Sequence, residues 1–150
     1  MNDLVLLCTI ADQRVAIDAL AVQSVIEIDE ITPIPACPPH VVGLSALRSQ
    51  ALNVIECALA LGLERRHGHD SDKGRRAVVV EIEGHLYALL VDDASNVATT
   101  LSQPLQLPGG LGAAWQRAAS GMVETDGGPA LLIDVEQLIL GPARTATAAA

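Results

Sequence analysis

An all-β protein of two small, similar units packed as barrels is the architecture this sequence predicts, and three observations carry that reading. The pattern over residues 15–35 returns about 72 residues later over residues 87–108. Short β-branched runs alternate with turn residues throughout, the signature of many short strands, not of a parallel sheet wound with helices. Half of the 150 residues are hydrophobic, enough to bury a core for one ordinary domain or two very small barrels sharing an interface. The repeat is specific at single positions: Val15 falls on Tyr87, Ala16 on Ala88, Ile17 on Leu89 and Val25 on Val97. The segment I-T-P-I-P at residues 31–35 is answered by P-L-Q-L-P at residues 104–108. Gly43 opens a stretch ending in Val54-Ile55-Glu56, and Gly121 opens one ending in Leu132-Ile133-Asp134. Two copies make a pair of supersecondary units, because a solenoid needs three or more to bury a continuous core.

In chain order, Leu4 to Ile10 is an apolar run that meets a polar stretch at residues 11–14 before residues 15–19 resume, which predicts a hairpin. Residues 22–28 mix β-branched and polar side chains as a half-buried strand does. Pro33, Pro35, Pro38 and Pro39 then exclude a central strand, since proline has no ladder donor. Residues 52–55 predict another strand, and residues 56–63 a short helix ending near Gly62. Residues 64–76, E-R-R-H-G-H-D-S-D-K-G-R-R, contain no apolar side chain and predict a mobile surface loop between the copies. The second unit is predicted to run as strands over 77–83, 86–91 and 94–99, with a turn at Gly84-His85. Two helical turns are predicted over 113–119, a last strand over 130–134 and a matching helix over 135–140. Residues 141–150 form an Ala/Thr-rich tail of low complexity, predicted to be disordered.

Composition excludes several classes of function. The net charge of −9 disfavours nucleic acid, because phosphate contacts need clustered Lys and Arg, and five of the nine basic residues sit in the 64–76 stretch. Base stacking lacks its aromatic platforms, with no Phe, one Trp and one Tyr. Cys8, Cys37 and Cys57 are odd in number and lack C-x-x-C spacing, which points to reduced thiols in a cytoplasmic protein and away from a disulfide framework or zinc site. No signal-peptide pattern opens the chain, and no apolar run reaches the roughly 20 residues of a membrane helix.

Candidate chemistry is thin. Gly109, Gly110 and Gly112 lack the Lys-Ser/Thr of a phosphate cradle. His67, His69, Asp70 and Asp72 are neighbours in a glycine-containing stretch, a poorly preorganised metal site. Asp92 and Asp93, adjacent at a strand end, point to opposite faces and do not share a proton. His40 and His85 have no sequence partner that would make a catalytic base. No catalytic residue, metal ligand or cofactor is predicted. What remains is Arg48, a lone cation in the uncharged segment 43–49, G-L-S-A-L-R-S, whose planar donors call for either an internal clamp on a turn or a binding partner.

At this point the motifs align with a known family. Val22-Gln23-Ser24-Val25, Ile31-Thr32-Pro33-Ile34-Pro35, the segment 39–49, Val54-Ile55-Glu56 and Leu89-Leu90-Val91-Asp92 follow one another in the order and spacing of the CheW-like chemotaxis coupling proteins, and the chain resembles that family over residues 4–140. The resemblance implies two intertwined five-stranded SH3-like barrels with short helices. It also implies a cytoplasmic, non-catalytic adaptor of a two-component system, a scaffold joining the cytoplasmic tip of a chemoreceptor to the regulatory domain of a CheA-type histidine kinase. A divergent scaffold of another chemosensory pathway, such as surface pili and twitching motility, is the alternative. By the same resemblance the partner-binding residues are Arg48, Leu47, Leu44 and Gly43, with Val22 and Ser24 on a neighbouring strand. Neither nucleic acid nor direct membrane insertion is implied, and membrane arrays are reached only through partners. The family's N-L-R-G reads A-L-R-S here, so Ala46 and Ser49 replace Asn and Gly and the turn is expected to alter. Glu56 stands for the usual Asp, expected to be a mild change, and Ser24 stands where a Glu is common.

Overall fold

The computed structural model describes residues 3–63, 75–107, 109–110 and 112–141. Among these residues ten strands form two sheets of five. Strands β1 (Leu4–Ile10), β2 (Gln13–Asp18), β3 (Val22–Ile28), β4 (Val41–Leu47) and β5 (Gln50–Glu56) come from the first copy of the repeat. Strands β6 (Arg75–Ile82), β7 (His85–Leu90), β8 (Asp93–Thr99), β9 (Ala119–Thr125) and β10 (Gly128–Ile133) come from the second. Short helices α1 (Cys57–Ala60), α2 (Ala113–Ala118) and α3 (Val135–Leu140) follow β5, precede β9 and follow β10.

The sheets do not respect the copies. Barrel 1 has the order β8-β1-β2-β10-β9, and barrel 2 the order β3-β6-β7-β5-β4. Each is a hairpin of one copy completed by three strands of the other, so the halves are exchanged. Equivalent positions keep equivalent partners: Leu131 and Leu132 pair in parallel with Val15 and Ala16, as Asn53 and Val54 do with Tyr87 and Ala88. Thr32 bridges Leu44 in barrel 2, and Leu105 bridges Met122 in barrel 1. Beneath those bridges lie Gly43 and Gly121, where a Cβ would collide with the carbonyl of Thr32 or, at 2.8 Å, with that of Leu105. A glycine in mid-strand marks such a close approach of two backbones.

That requirement accounts for two strands the sequence pattern did not predict. V-V-G-L-S-A-L and A-S-G-M-V-E-T are small, interrupted by glycine and poor in β-branched residues, yet they form β4 and β9 because each is clamped between its hairpin partner and a bridge. A second correction concerns the stretch predicted as loop over residues 64–76. Its last two residues open β6, with Arg75 opposite Ile28 and Arg76 opposite Glu27, and Arg75 is buried because carboxylates receive its guanidinium. The β6–β7 turn is Glu83-Gly84, both at positive φ, and His85 already belongs to β7. The metal candidates His67, His69, Asp70 and Asp72, and the tail from residue 142 on, lie outside the described residues.

Strand alternation divides the apolar side chains among three cores. Val5, Leu7, Ala16, Ala98, Val123 and Ala130 fill barrel 1, while Ile28, Leu52, Val54, Ala77, Val79, Ala88 and Leu90 fill barrel 2. The intervening residues, among them Leu6, Cys8, Val15, Ile17, Val78, Val80, Leu89 and Leu131, face a third core shared by the barrels. Strands buried on both faces read as continuous apolar runs, which is why L-V-L-L-C-T-I and A-V-V-V show little polar alternation. Trp115, the one Trp, joins the shared core from α2. Arg117 of the same helix donates to the carbonyls of Gln137 at 2.7 Å and Ala60 at 2.8 Å, so one side chain ties α2 to both α3 and α1.

Candidate partner-binding surface

The candidate residues fall at three places. Arg48 and Ser49 form the two-residue turn between β4 and β5, at φ 51° and 70°. Positive φ at both central positions suits the right-handed twist of a hairpin, and it normally selects Asn or Gly. Ser49 takes the left-handed conformation that a glycine adopts freely, at the cost of local strain. Arg48 is exposed at the tip, and its side chain clamps no turn among the described residues. Leu44 and Leu47, half-buried on β4, line a cleft of about 900 Å³ beside that tip. Gly43 is buried under Thr32, where it shapes the strand. Val22 and Ser24 begin β3 opposite Val80 and Val79, and neither lines the cleft.

Across the cleft from β4 runs the other edge of barrel 2, Ile26 to Ile28, followed by Asp29 and Glu30. Those edge residues were not among the sequence candidates. The signal available for them was the acidic run Glu27, Asp29, Glu30, where Thr99, Leu101 and Ser102 stand in the second copy. Exposed apolar side chains add to the surface at Leu20, Val97, Leu101 and Leu105.

The remaining polar groups serve the scaffold. Glu56 binds Arg75 through both carboxylate oxygens, and Asp92 lies 3.7 Å from the same guanidinium. Asp92 also accepts from the Ala11 amide at 2.9 Å, which makes it a strand-end brace. His40 is buried with Nε2 at 2.8 Å from the Ile139 carbonyl, where it holds the end of α3. Burial, reinforced by Asp93, pushes the Cys8 thiol up to about 12, and burial together with Glu56 raises Cys57, so both stay protonated and unreactive. No group of three or more metal-ligating side chains occurs among the described residues, and no helix among them is long and apolar enough to cross a membrane.

The described residues thus form a hairpin-exchanged pair of five-stranded barrels over a shared core, with an open cleft at the strand edges of barrel 2. Residues 4–141 match the CheW-like domain, and the chain belongs to that family. It is 27% identical over 130 residues to the chemotaxis protein CheW of Thermotoga maritima, across 87% of this chain and 83% of that one. Identity to the chemotaxis protein CheW of Rhizobium meliloti is 22% over 138 residues, covering 91% and 87%. Among solved structures, the scaffolding protein TtCheW from Thermoanaerobacter tengcongensis superposes with a TM-score of 0.74 at 23% identity, covering 89% of this chain and 90% of that one.

Proposed function

We propose that this protein is a non-catalytic coupling adaptor of a chemotaxis pathway, joining the cytoplasmic tip of a chemoreceptor to the regulatory domain of a CheA-type histidine kinase. The observation that carries the reading is the family match over residues 4–141. The relatives' chemotaxis names support it. On this reading Leu44, Leu47 and the exposed Arg48 tip, with Gly43 shaping their strand, and the start of β3 at Val22 and Ser24 belong to the receptor-binding region. The protein works in the cytoplasm and reaches membrane arrays through its partners. An apolar strip supplies affinity, and a planar guanidinium fixes register against a carboxylate or carbonyl.

Co-precipitation of the purified protein with receptor tips and with the kinase regulatory domain tests the reading, and retention of both in one complex is the expected result. Arg48→Ala should weaken receptor binding by about tenfold, the range of one charge-assisted hydrogen bond, while the melting temperature stays unchanged. Binding to neither partner refutes the adaptor, and unaltered receptor affinity in the folded variant removes Arg48 from the contact.

A further inference from the structure

Barrel 1 closes on itself, and barrel 2 does not. In barrel 1, Thr100 bridges Thr125, Leu101 N–H donates to the Glu124 carbonyl at 2.7 Å, and Asp126 N–H donates to the Thr99 carbonyl at 3.1 Å. The Asp126 carboxylate adds a bond from Thr99 N–H at 3.0 Å. The counterparts of Thr99, Leu101, Glu124 and Asp126 in barrel 2 are Glu27, Asp29, Ala46 and Arg48. None of the equivalent backbone bonds is made between them. Arg48 has no acceptor with which to repeat the Asp126 bond, and Asp29 replaces an apolar seam residue with a charge.

The chain after β3 turns away and rejoins β4 only at Thr32, whose N–H and C=O both bond Leu44, at 2.8 and 2.9 Å. Strand edges repeat every second residue, so Ala46 presents its N–H and C=O on that same open side. The gap is the cleft of about 900 Å³, with Ile26, Ile28, Leu44 and Leu47 in its walls and Glu27, Asp29 and Glu30 on its rim. Among the described residues no basic side chain lines it. An open sheet edge is a template for one more strand.

We propose that the seam of barrel 2 accepts an extended segment of a partner protein, inserted as a strand between β3 and β4 and flanked by Lys or Arg that meet the acidic rim. This deepens the adaptor reading by giving one of its contacts a strand mode, and it rests on that reading only for the partner's identity. The backbone groups of Ala46, Glu27 and Asp29 supply affinity, the apolar walls select alternate side chains, and the rim selects charge.

The test titrates the ¹⁵N-labelled full chain with an acetylated, amidated peptide, Lys-Lys-Val-Thr-Val-Thr-Val-Lys, and with the same peptide carrying Glu in place of Lys. Expected are a dissociation constant below about 1 mM for the basic peptide, about tenfold weaker binding of the acidic one, and shifts centred on the amides of Ala46, Glu27 and Asp29. Ala46→Pro deletes an open-edge donor, and the triple change Glu27→Lys, Asp29→Lys, Glu30→Lys leaves the backbone intact; each should weaken binding by about tenfold. Absence of binding, shifts centred elsewhere, or equal affinity in the folded triple variant overturns the proposal. Self-association of the protein alone that Ala46→Pro abolishes also overturns it, by assigning the seam to a second copy. Ala46 and Asp29 amides already protected in the free chain overturn it by assigning the seam to the chain's own residues. Receptor and kinase co-precipitation is run on the same variants, so a failed strand mode with both partners retained is distinct from a failed adaptor.

Discussion

The two barrels descend from the same repeat and have the same strand order, yet one is sealed and the other is open along a single seam. The difference comes down to a few substitutions. Where barrel 1 places Asp126 at its hairpin tip and Leu101 on its edge, barrel 2 places Arg48 and Asp29. An acceptor at the tip pulls the neighbouring edge in; a guanidinium and an exposed carboxylate leave each edge to water. Duplication thus supplied one barrel whose seam is hydrogen-bonded and a second whose seam is open. The sequence-predicted residues Leu44, Leu47 and Arg48 lie on the open barrel, and the proposed contact would use it.

A second contrast concerns the last residue before each terminal helix, and it yields the largest expected effect. Asp134 caps α3 by accepting from Gln137 N–H at 3.3 Å, whereas its counterpart Glu56 makes no cap at α1 and is committed to Arg75. The extra methylene that made Glu56 look like a mild replacement carries its carboxylate past the helix end into a buried ion pair. Removing Arg75 leaves the buried Glu56 carboxylate without its guanidinium, and removing Glu56 leaves Arg75 to the more distant Asp92. Arg75→Met or Glu56→Leu should therefore cost about 3–5 kcal/mol, and the double variant much less than the sum. Asp134→Ala removes only a cap and should cost about 1 kcal/mol. Chemical denaturation of the four variants checks this, and equal losses at Glu56 and Asp134 would erase the contrast.

Opening the sealed barrel is the next effect in size. Asp126→Ala removes the carboxylate that Thr99 N–H donates to, and it should destabilise by about 1.5–3 kcal/mol, the range for hydrogen bonds to charged groups. Its amide exchange should rise along Thr99 and Leu101 only. The smallest effect sharpens the comparison from the other side: Ser49→Gly relieves a left-handed serine and should stabilise by about 0.5–1 kcal/mol without closing the cleft. A stability gain accompanied by loss of the open seam would show that the strained turn, and not Arg48, holds barrel 2 apart.

Much of the fold was legible in the residues, for reasons that can be named. The repeat is carried by buried positions such as Ala16 and Ala88 or Ile17 and Leu89, which occupy equivalent core sites and drift little. The exchange of hairpins between copies was not legible from periodicity, because Val15 matches Tyr87 whichever partner each strand chooses. Strands β4 and β9 were hidden by Gly43 and Gly121, whose reason for being glycine lies across space at Thr32 and Leu105. Arg75 read as loop because its neighbours are charged, while its partner Glu56 lies 19 residues away on another strand. Of the site, Arg48 was conspicuous as an isolated cation, but the open seam beside it emerges only when the two barrels are laid on one another.

The most direct test of this account is amide hydrogen exchange of the free protein, read at four positions. Leu101 and Asp126 should exchange slowly, at rates set by opening of barrel 1, while their counterparts Asp29 and Arg48 exchange close to the rate of unprotected amides. Equal protection at all four would mean that barrel 2 is sealed like its twin, and the difference on which the account rests would be gone.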